Sequence, residues 1–259
     1  IEVFLARDGL DVAIDVLRER RGRWFEPRLV DEVLSWNRDS NWWRSINAPN
    51  AEENVRALEP VKHARTLDER GLDEVAQAFA DIIDAKSPFT YRHSSNVAMY
   101  ACAIGQVTGF DRDMMRRTHR AGLLHDIGKV GVSNRILDKK GPLDAAERSA
   151  MQLHPKYTLE ILSRVNAFAG FAHQAALHHE KLDGSGYPWG VAGEVLDQMA
   201  RVLAVADVYE ALTADRPYRI GMEPEAAFEI LNDDRGAKLD AAAIDALASA
   251  VHSQEKETL

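Results

Sequence analysis

Apolar residues recur at intervals of three and four along nearly the whole 259-residue chain, and this periodicity limits the fold more than any other feature. Leu72, Val75, Phe79 and Ile82 mark one helix face, while convincing two-residue alternation is missing. Residues 201–212 are apolar almost all round, as expected for a helix buried on every side. The sequence therefore predicts an all-α fold with a central helix at 201–212.

Turn-forming residues interrupt this pattern in two places. Gly, Pro, Asn and Asp cluster at residues 36–53 and 183–193, where we expect loops. The first cluster separates an N-terminal helical piece, residues 1–35, from a main domain at 70–259. Residues 36–69 are then a linker between the two.

Composition narrows the classes of partner and the compartment. A net charge of −9 argues against a general binder of nucleic-acid polymers or membrane surfaces, so an anionic substrate would need a local cationic site. No apolar run is long enough to span a bilayer. Cys102 is the single cysteine, which excludes an internal disulfide and predicts a reducing, cytoplasmic location. The chain begins with Ile1 instead of Met, so we expect it to be a piece of a longer protein.

Two polar doublets are conspicuous among the nine histidines. His125-Asp126 follows an apolar stretch and His178-His179 ends an apolar helix face, where isolated polar groups would be costly to bury. Neighbouring residues on a helix point about 100° apart, so one doublet can address two adjacent metal positions. A lone histidine is more commonly a structural or surface group. We interpret four in this way: His63, His119, His173 and His252.

Asp207 adds a carboxylate to the histidines. It stands inside the apolar stretch 202–209, where it should be buried, and buried carboxylates are paired or bind a metal. A buried salt bridge to a nearby arginine is the alternative. The number of histidines without an evident partner favours metal binding.

Seven side chains form the candidate ligand set: His93, His125, Asp126, His154, His178, His179 and Asp207. Seven ligands exceed the roughly four of a structural zinc site and the roughly six of an octahedral site. Two metals that share a bridging carboxylate account for them better. Imidazole with carboxylate suits iron, manganese or zinc, and two metals about 3.5–4 Å apart are the usual clamp for in-line displacement at phosphorus.

An ordered series of motifs resembles a known family. Residues 84–94 and the HDIGK stretch at 125–129 resemble the HD phosphohydrolase superfamily. HHEKLDGSGYP at 178–188 resembles the signature of its HD-GYP family, and DRPYR at 215–219 is similar to that family's next block. The resemblance covers about residues 70–251, and the ordered set is far more specific than HD alone.

The resemblance implies an HD-superfamily helical bundle and hydrolysis of cyclic di-GMP to linear pGpG, in some members onward to GMP. It also implies how the ligands divide between two metals. The first metal would be held by His93, His125, Asp126 and Asp207, with Asp126 bridging. The second would be held by His154, His178 and His179.

Three basic residues are candidates for phosphate binding. Lys129 follows the HD pair by one helical turn, so it can face the same cavity and neutralise charge on the phosphate. The alternative is an ordinary surface lysine at a helix end. Arg216 and Arg219 are expected to bind the second phosphate, for which the guanidinium is well shaped. The alternative for them is a solvated helix end.

The loop that follows the second doublet lacks an ionisable group suited to catalysis. We expect its motif, residues 184–188, to shape the site or to dock a signalling-domain partner. The whole predicted loop, 183–193, is hereafter called the GYP loop. Asp183 is expected to hold the His178-His179 end in place by hydrogen bonding. The motif residues of the loop are Asp183, Gly186, Tyr187 and Pro188.

Departures from the family pattern and rival functions also follow from the sequence. Phe89 stands where some members place a glutamate that helps to hold a third metal, so we expect two metals. A stretch at 236–240 also differs from the usual family pattern, with an expected effect on packing only. One rival function is hydrolysis of another cyclic dinucleotide, such as a mixed one. The other is a catalytically inactive signalling scaffold, against which the intact ligand set argues.

The last expectation is an internal repeat. Residues 10–35 align without gaps on 224–249 at a fixed offset of 214, with an Arg-Gly stop between two helices in each. The identical pairs are Ala13 and Ala227, Leu17 and Leu231, Arg21 and Arg235, Gly22 and Gly236, Asp31 and Asp245, and Ser35 and Ser249. Chance likeness of two amphipathic helix pairs is the alternative. We expect residues 1–35 to end a preceding, degenerate copy of the domain, whose apolar face packs on the main domain or on a second chain in a homodimer.

Overall fold

The computed structural model describes residues 2–36, 41–46, 48–58, 67–86, 92–215 and 220–257. These residues are mainly helical, and they include no β-strand. The all-α prediction is therefore confirmed. The chain divides into two compact units, Ile1–Thr66 and Leu67–Leu259. None of the described helices is both long and apolar enough to cross a bilayer.

Both units are built from helices that are numbered here along the chain. Those of the first unit are α1 (Glu2–Asp8), α2 (Leu10–Arg20), α3 (Pro27–Ser35), α4 (Asn41–Ile46) and α5 (Ala51–Ala57). Those of the second unit are α6 (Glu69–Ala85), α7 (His93–Val107), α8 (Arg112–Leu124), α9 (Asn134–Leu137), α10 (Ala145–Met151), α11 (His154–Ser163), α12 (Asn166–Ala169), α13 (Ala172–Ala176), α14 (Gln198–Thr213), α15 (Pro224–Asp233) and α16 (Ala241–Glu257). A 3₁₀ segment, Ile127–Gly131, follows α8.

The core of the second unit surrounds α7, which packs against α8, α14 and α16. Small side chains such as Ala98 and Ala101 are fully buried on α7 and let its neighbours approach closely. Helix α14 is buried along most of its length, as predicted for a central helix. This arrangement brings the first turn of α7 beside the middle of α14, where the candidate ligands His93 and Asp207 lie.

Aspartates start several of these helices by accepting a hydrogen bond from a free backbone N–H of the first turn. They are Asp68 for α6, Asp111 for α8, Asp144 for α10 and Asp197 for α14. At α10 the Glu147 side chain also accepts from the Asp144 backbone N–H. These two reciprocal bonds form a capping box at the start of α10.

Two local predictions are wrong. Residues 36–53 are not all loop, because α4 and the start of α5 lie there. The apolar face that ends at His178-His179 does not belong to one helix. It forms α12 and α13, separated at Gly170, and His179 lies beyond the end of α13. The loop predicted at 183–193 is confirmed.

The helix pairs α2–α3 and α15–α16 share their local geometry. Arg21 and Arg235 each form a two-pronged ion pair with an aspartate ten residues later, Asp31 and Asp245. The intervening glycines, at 22 and 236, have left-handed φ angles of 70° and 71°, which glycine adopts without strain. Each glycine N–H donates to the carbonyl three residues on, at 2.9 and 2.8 Å. Residues 10–35 therefore form two helices joined near Gly22, as the repeat predicts.

Candidate metal centre

The seven predicted ligands come from five parts of the second unit and lie together. His93 begins α7, Asp207 is in the middle of α14, and His154 begins α11. Two doublets, at 125–126 and 178–179, follow the ends of α8 and α13. Six of the seven residues are buried, and the seventh, His179, is partly exposed. The centre therefore lies inside the fold with one open edge.

Among the described residues, three groups of three have ligand atoms that all lie within 4.8 Å of one another. The first, hereafter the His93 group, is His93, His125 and Asp207. The second, hereafter the His154 group, is His154, His178 and His179. The third, His125, Asp126 and His178, joins the other two. Apart from Asp126, the first two groups match the two ligand sets that the family resemblance implies.

Asp126 lies between the two groups. Its Oδ2 is 3.5 Å from His93 Nε2 and 3.3 Å from His125 Nε2. Its Oδ1 is 3.2 Å from His154 Nε2 and 3.9 Å from His178 Nε2. This Oδ1 is buried and has no hydrogen-bond partner in the described part of the chain. A buried carboxylate oxygen without a partner is costly, so its environment fits a cation bound among the histidine nitrogens.

Asp207 also reaches both groups. Its Oδ1 is 3.4 Å from His93 Nε2, and its Oδ2 is 3.6 Å from His179 Nδ1. Within the described ranges no arginine forms an ion pair with it, so the salt-bridge alternative finds no support there. The donor set is imidazole nitrogen and carboxylate oxygen throughout, which suits iron, manganese and zinc.

Three histidines are oriented by backbone carbonyls three residues earlier. The Nδ1 of His125 lies 2.7 Å from Gly122 O, that of His154 lies 2.8 Å from Met151 O, and that of His178 lies 2.7 Å from Ala175 O. If Nδ1 carries the proton and donates to the carbonyl, Nε2 is left with a free lone pair that faces the cluster.

His93 has a different partner. Its Nδ1 is hydrogen-bonded to the carboxylate of Glu210, a fully buried residue one turn after Asp207 on α14. Asn96 donates from Nδ2 to the other oxygen of Glu210 at 3.2 Å. Sequence reasoning missed Glu210, although the argument that selected Asp207, a carboxylate inside an apolar helix, applies to it as well.

The start of α7 is also fixed by side chains. Asp84 is buried and accepts hydrogen bonds from Ser94 N at 3.1 Å and from Ser94 Oγ at 2.7 Å. Arg92, the residue before the helix, adopts a left-handed φ of 59°. These contacts fix the turn before α7 and with it the backbone of His93.

His179 is held by ring contacts. It presents Nδ1 to Asp207, and its ring lies 4.6 Å from that of Tyr187, at an interplanar angle of 30°. The ring of His154 meets it edge-on at 5.1 Å. Tyr187 belongs to the GYP loop, so this loop forms one wall of the His154 group.

Glu180 ties the GYP loop to the histidine doublet. It is fully buried, and its carboxylate accepts hydrogen bonds from the backbone N–H groups of Trp189, Gly190 and Val191 at 2.8–3.2 Å. The predicted anchor, Asp183, has another role. Its exposed carboxylate accepts from the N–H and hydroxyl of Ser185 and so closes a turn within the loop.

Lys129 faces the centre, as predicted from its spacing. Its ammonium donates to Asp126 Oδ2, and its side chain is 19% exposed, so it borders both the cluster and solvent. Burial opposes charge on Asp126, but Lys129 and His125 outweigh it and hold the pKa of this carboxyl well below its usual range. The contact with a phosphate stays a prediction.

The HD turn is fastened to α11 by close packing. Gly128 lies so near α11 that a Cβ in its place would fall 1.9 Å from His154 O. Thr158 donates from its hydroxyl to His125 O at 2.8 Å and accepts from Gly128 N at 3.0 Å. Glycine is therefore required in HDIGK to bring His125 and His154 into one cluster.

The two groups shift their imidazoles in opposite directions. Burial opposes charge on His93, but hydrogen bonds with Asp126 and Glu210 outweigh it and raise the pKa of this ring to about 10. Burial lowers the pKa of His179 to about 3 and that of His178 well below its usual value. The surroundings of His93 therefore favour a positive charge, whereas those of His178 and His179 oppose it.

The histidines that were expected to lie outside the centre, and three other residues named above, remain to be placed. His173 stacks on Trp189 and His252 on Phe228, which agrees with structural roles. His119 is also outside both groups. Four others lie outside the described residues: His63, Phe89, Arg216 and Arg219.

A family model for the HD domain matches residues 77–243. The 3′3′-cGAMP-specific phosphodiesterase 3 of Vibrio cholerae is 39% identical over 97% of this chain and 55% of that protein. The cyclic di-GMP phosphodiesterase PA4108 of Pseudomonas aeruginosa is 35% identical over 79% of this chain and 48% of that protein. A crystal structure of a cyclic GMP-AMP-specific phosphodiesterase of V. cholerae has a TM-score of 0.59 at 34% identity, over 97% of this chain and 58% of that one.

The chain thus spans about half the length of these curated relatives. The HD family model extends over most of the second unit, including all seven residues of the cluster. The chain belongs to the HD domain family, in its HD-GYP branch.

Proposed function

We propose that this chain is a metal-dependent phosphodiesterase that hydrolyses a 3′,3′-cyclic dinucleotide to its linear form. The observation that carries the proposal is the position of Asp126. One of its oxygens faces each histidine group, and Lys129 lies beside it at the edge of the centre. A phosphate that approaches the open edge of the centre would meet the Lys129 ammonium beside both histidine groups. Phosphoryl transfer requires such positive charge close to the reacting phosphate.

The residues would hold two divalent ions, with iron or manganese first and zinc as the other option. The His93 group and Asp126 would take one ion, and the His154 group and Asp126 the other. Ions bound there would supply Lewis acidity and a water acidified toward neutral pH. Metal analysis of the purified protein tests the number, because two ions per chain are expected and one or three would contradict it.

The chain's own residues would position the substrate. Lys129 would shift its hydrogen bond from Asp126 to a phosphoryl oxygen and neutralise the charge that grows there. Arg216 and Arg219 would bind the second phosphate. Reversing the charge of both should raise the KM, and an unchanged KM would place the substrate elsewhere. Lys86, which donates to Asn134 at 2.9 Å, is a suitable control for charge reversal.

The identity of the bases is a choice between two substrates. The family resemblance predicts cyclic di-GMP, and relatives that carry this name match the chain over parts of its length. The relative that aligns over 97% of the chain is named for 3′3′-cGAMP, which supports the mixed dinucleotide as the first substrate to test. Both share the phosphodiester chemistry described above.

A product assay decides among these functions. The purified protein, loaded with iron or manganese, is given 3′3′-cGAMP, cyclic di-GMP and cyclic di-AMP separately, and chromatography identifies linear dinucleotides and mononucleotides. We expect hydrolysis of at least one of the first two, and none by Asp126→Ala. A metal-loaded protein that binds but cleaves none of them would be a signalling scaffold instead.

We propose further that residues 1–35 are the end of a preceding, degenerate copy of the domain. The matching ion pairs and left-handed glycines of α2–α3 and α15–α16 support this reading. A structure of a longer form of the protein should then show an upstream helical domain without the seven ligands. An unrelated domain in that place would contradict the repeat.

A further inference from the structure

Among the described residues, Glu210 is the carboxylate outside the cluster that is hydrogen-bonded to one of its histidines. It is 2% exposed, it sits one turn after Asp207 on α14, and both of its oxygens are engaged by α7. One oxygen is bonded to His93 Nδ1 and the other accepts from Asn96. The orientation of the His93 ring therefore depends on a carboxylate across the interface between α7 and α14.

Three other histidines have no such dependence. His125, His154 and His178 are each bonded to a backbone carbonyl three residues earlier. Those bonds are local, and no side-chain substitution removes the acceptor. His93 is the first residue of its helix, and the acceptor that faces its Nδ1 is a side chain 117 positions away. Of these four histidines, His93 is therefore the one whose hydrogen-bonded orientation a single substitution elsewhere can release.

We propose that Glu210 is a positioning residue for the His93 group: it fixes the ring of His93 so that Nε2 faces Asp207 and Asp126, and it thereby controls retention of one metal ion and not of the other. This inference rests on the two-metal centre of the proposed function. The physical basis is general. A carboxylate bonded to the remote nitrogen of a ligand histidine sets its tautomer and angle, and its loss typically costs about 10–100-fold in metal affinity.

A purely structural role for Glu210 makes a different prediction. A residue that only joins α7 to α14 would, when removed, lower the stability of the whole unit and treat both metal positions alike. A positioning residue changes one position selectively. Site-resolved metal binding separates the two roles, whereas loss of activity alone would not.

The test uses the full chain in its manganese form. Manganese per chain is measured against a competing chelator, and electron paramagnetic resonance distinguishes a coupled pair of Mn²⁺ ions from a single isolated ion. For Glu210→Ala we expect one tightly held ion, the isolated-ion spectrum, and affinity for the other ion reduced about 10–100-fold. Glu210→Gln should lie between, because its amide oxygen still accepts from Nδ1 without the negative charge.

Glu180→Gln is the matched control, since Glu180 is also fully buried next to the cluster but accepts only from backbone N–H groups of the GYP loop. It should keep the ion of the His93 group. Equal weakening of both ions in Glu210→Ala, or two ions held as tightly as in the unsubstituted protein, would overturn the proposal. If Glu210→Ala does not fold, Glu210→Gln and Asn96→Ala decide by the same measurements. Fewer than two ions in the unsubstituted protein would instead refute the two-metal centre itself.

Discussion

The His93 group and the His154 group offer similar ligand atoms but are built differently. In the His93 group the first imidazole is oriented by a buried carboxylate on another helix, and Asp207 supplies negative charge. The His154 group consists of three imidazoles that are held by local carbonyls and by the ring of Tyr187. One half therefore depends on tertiary packing and charge, and the other on local geometry and ring contacts.

The shared ligand should give the largest effect. Asp126→Ala removes the oxygens that face both groups, so we expect loss of at least one ion per chain and a fall in activity beyond the roughly 100-fold limit typical of outer-shell partners. Metal analysis and the product assay measure both. Asp183→Ala is the control, because this exposed carboxylate contacts Ser185 within the loop. Full metal content in Asp126→Ala would show that the two groups are independent sites.

Lys129 borders both groups without offering a metal ligand, so its removal should change the rate and leave the metals in place. We expect Lys129→Ala to lower kcat by roughly a hundredfold or more, as for the loss of one charge-stabilising donor. Lys139→Ala, which breaks the surface pair with Glu147, is the control. Loss of metal from Lys129→Ala, or an unchanged rate, would contradict the role given to this residue.

Tyr187 gives a smaller effect that is confined to the His154 group. Its ring packs on His179, and such pairs contribute about 0.5–1.5 kcal/mol beyond their buried area. Tyr187→Ala should therefore weaken the ion of this group by up to about tenfold, measured by chelator competition. Tyr187→Phe keeps the ring and should match the unsubstituted protein. An equal loss of metal affinity in both variants would show that the hydroxyl, and not the ring, is responsible.

The smallest effect concerns pH in the chelator-treated protein. The pKa of His179 is about 3 when folded, against about 6.5 when unfolded. Below pH 6.5 the unfolded chain gains protons that the folded ring refuses, so stability falls as the pH decreases. For His93, whose folded pKa is about 10, the stabilising contribution is complete below pH 6.5 and is lost as the pH rises toward 10.

Thermal midpoints measure both sides of this profile. Between pH 6.5 and 4.5, His179→Gln should lose part of the acid dependence. Between pH 7 and 10, His93→Gln should lose part of the alkaline dependence. The reverse assignment, or identical profiles in all three proteins, would remove the electrostatic contrast between the two groups.

The helices and most residues of the cluster could be predicted from the sequence because short-range patterns indicate both. The 3.6-residue periodicity located α6 and α14, and polar groups in apolar surroundings selected both doublets and Asp207, five of the seven residues that the structure brings together. Their role as metal ligands stays a proposal. The helices α4 and α5 were missed because turn residues lie close to both.

The partners of these residues were not accessible in the same way. Glu210 meets His93 only because α14 packs on α7, and nothing near either residue in sequence specifies that pairing. The role of Glu180 is not evident from the motif, since the backbone N–H groups that donate to it are brought there by how the GYP loop folds back. From the sequence, Asp183 is the evident polar residue of the loop and is therefore the one expected to anchor the His178-His179 end. Periodicity identifies buried faces, whereas the direction of a hydrogen bond depends on tertiary packing.

The contrast in sequence separation also bears on the order of folding. The Arg235–Asp245 pair closes over ten residues, whereas the bond from His93 to Glu210 closes over 117. Loop-closure entropy favours short-range contacts, which form earlier on average. The α15–α16 hairpin can therefore close while α7 and α14 are still apart, and the cluster is completed only when they dock. During synthesis, a chain that has not yet released residue 207 lacks a complete His93 group. Tight binding of a metal ion would then indicate that α7 and α14 have docked and that the core of the domain has formed.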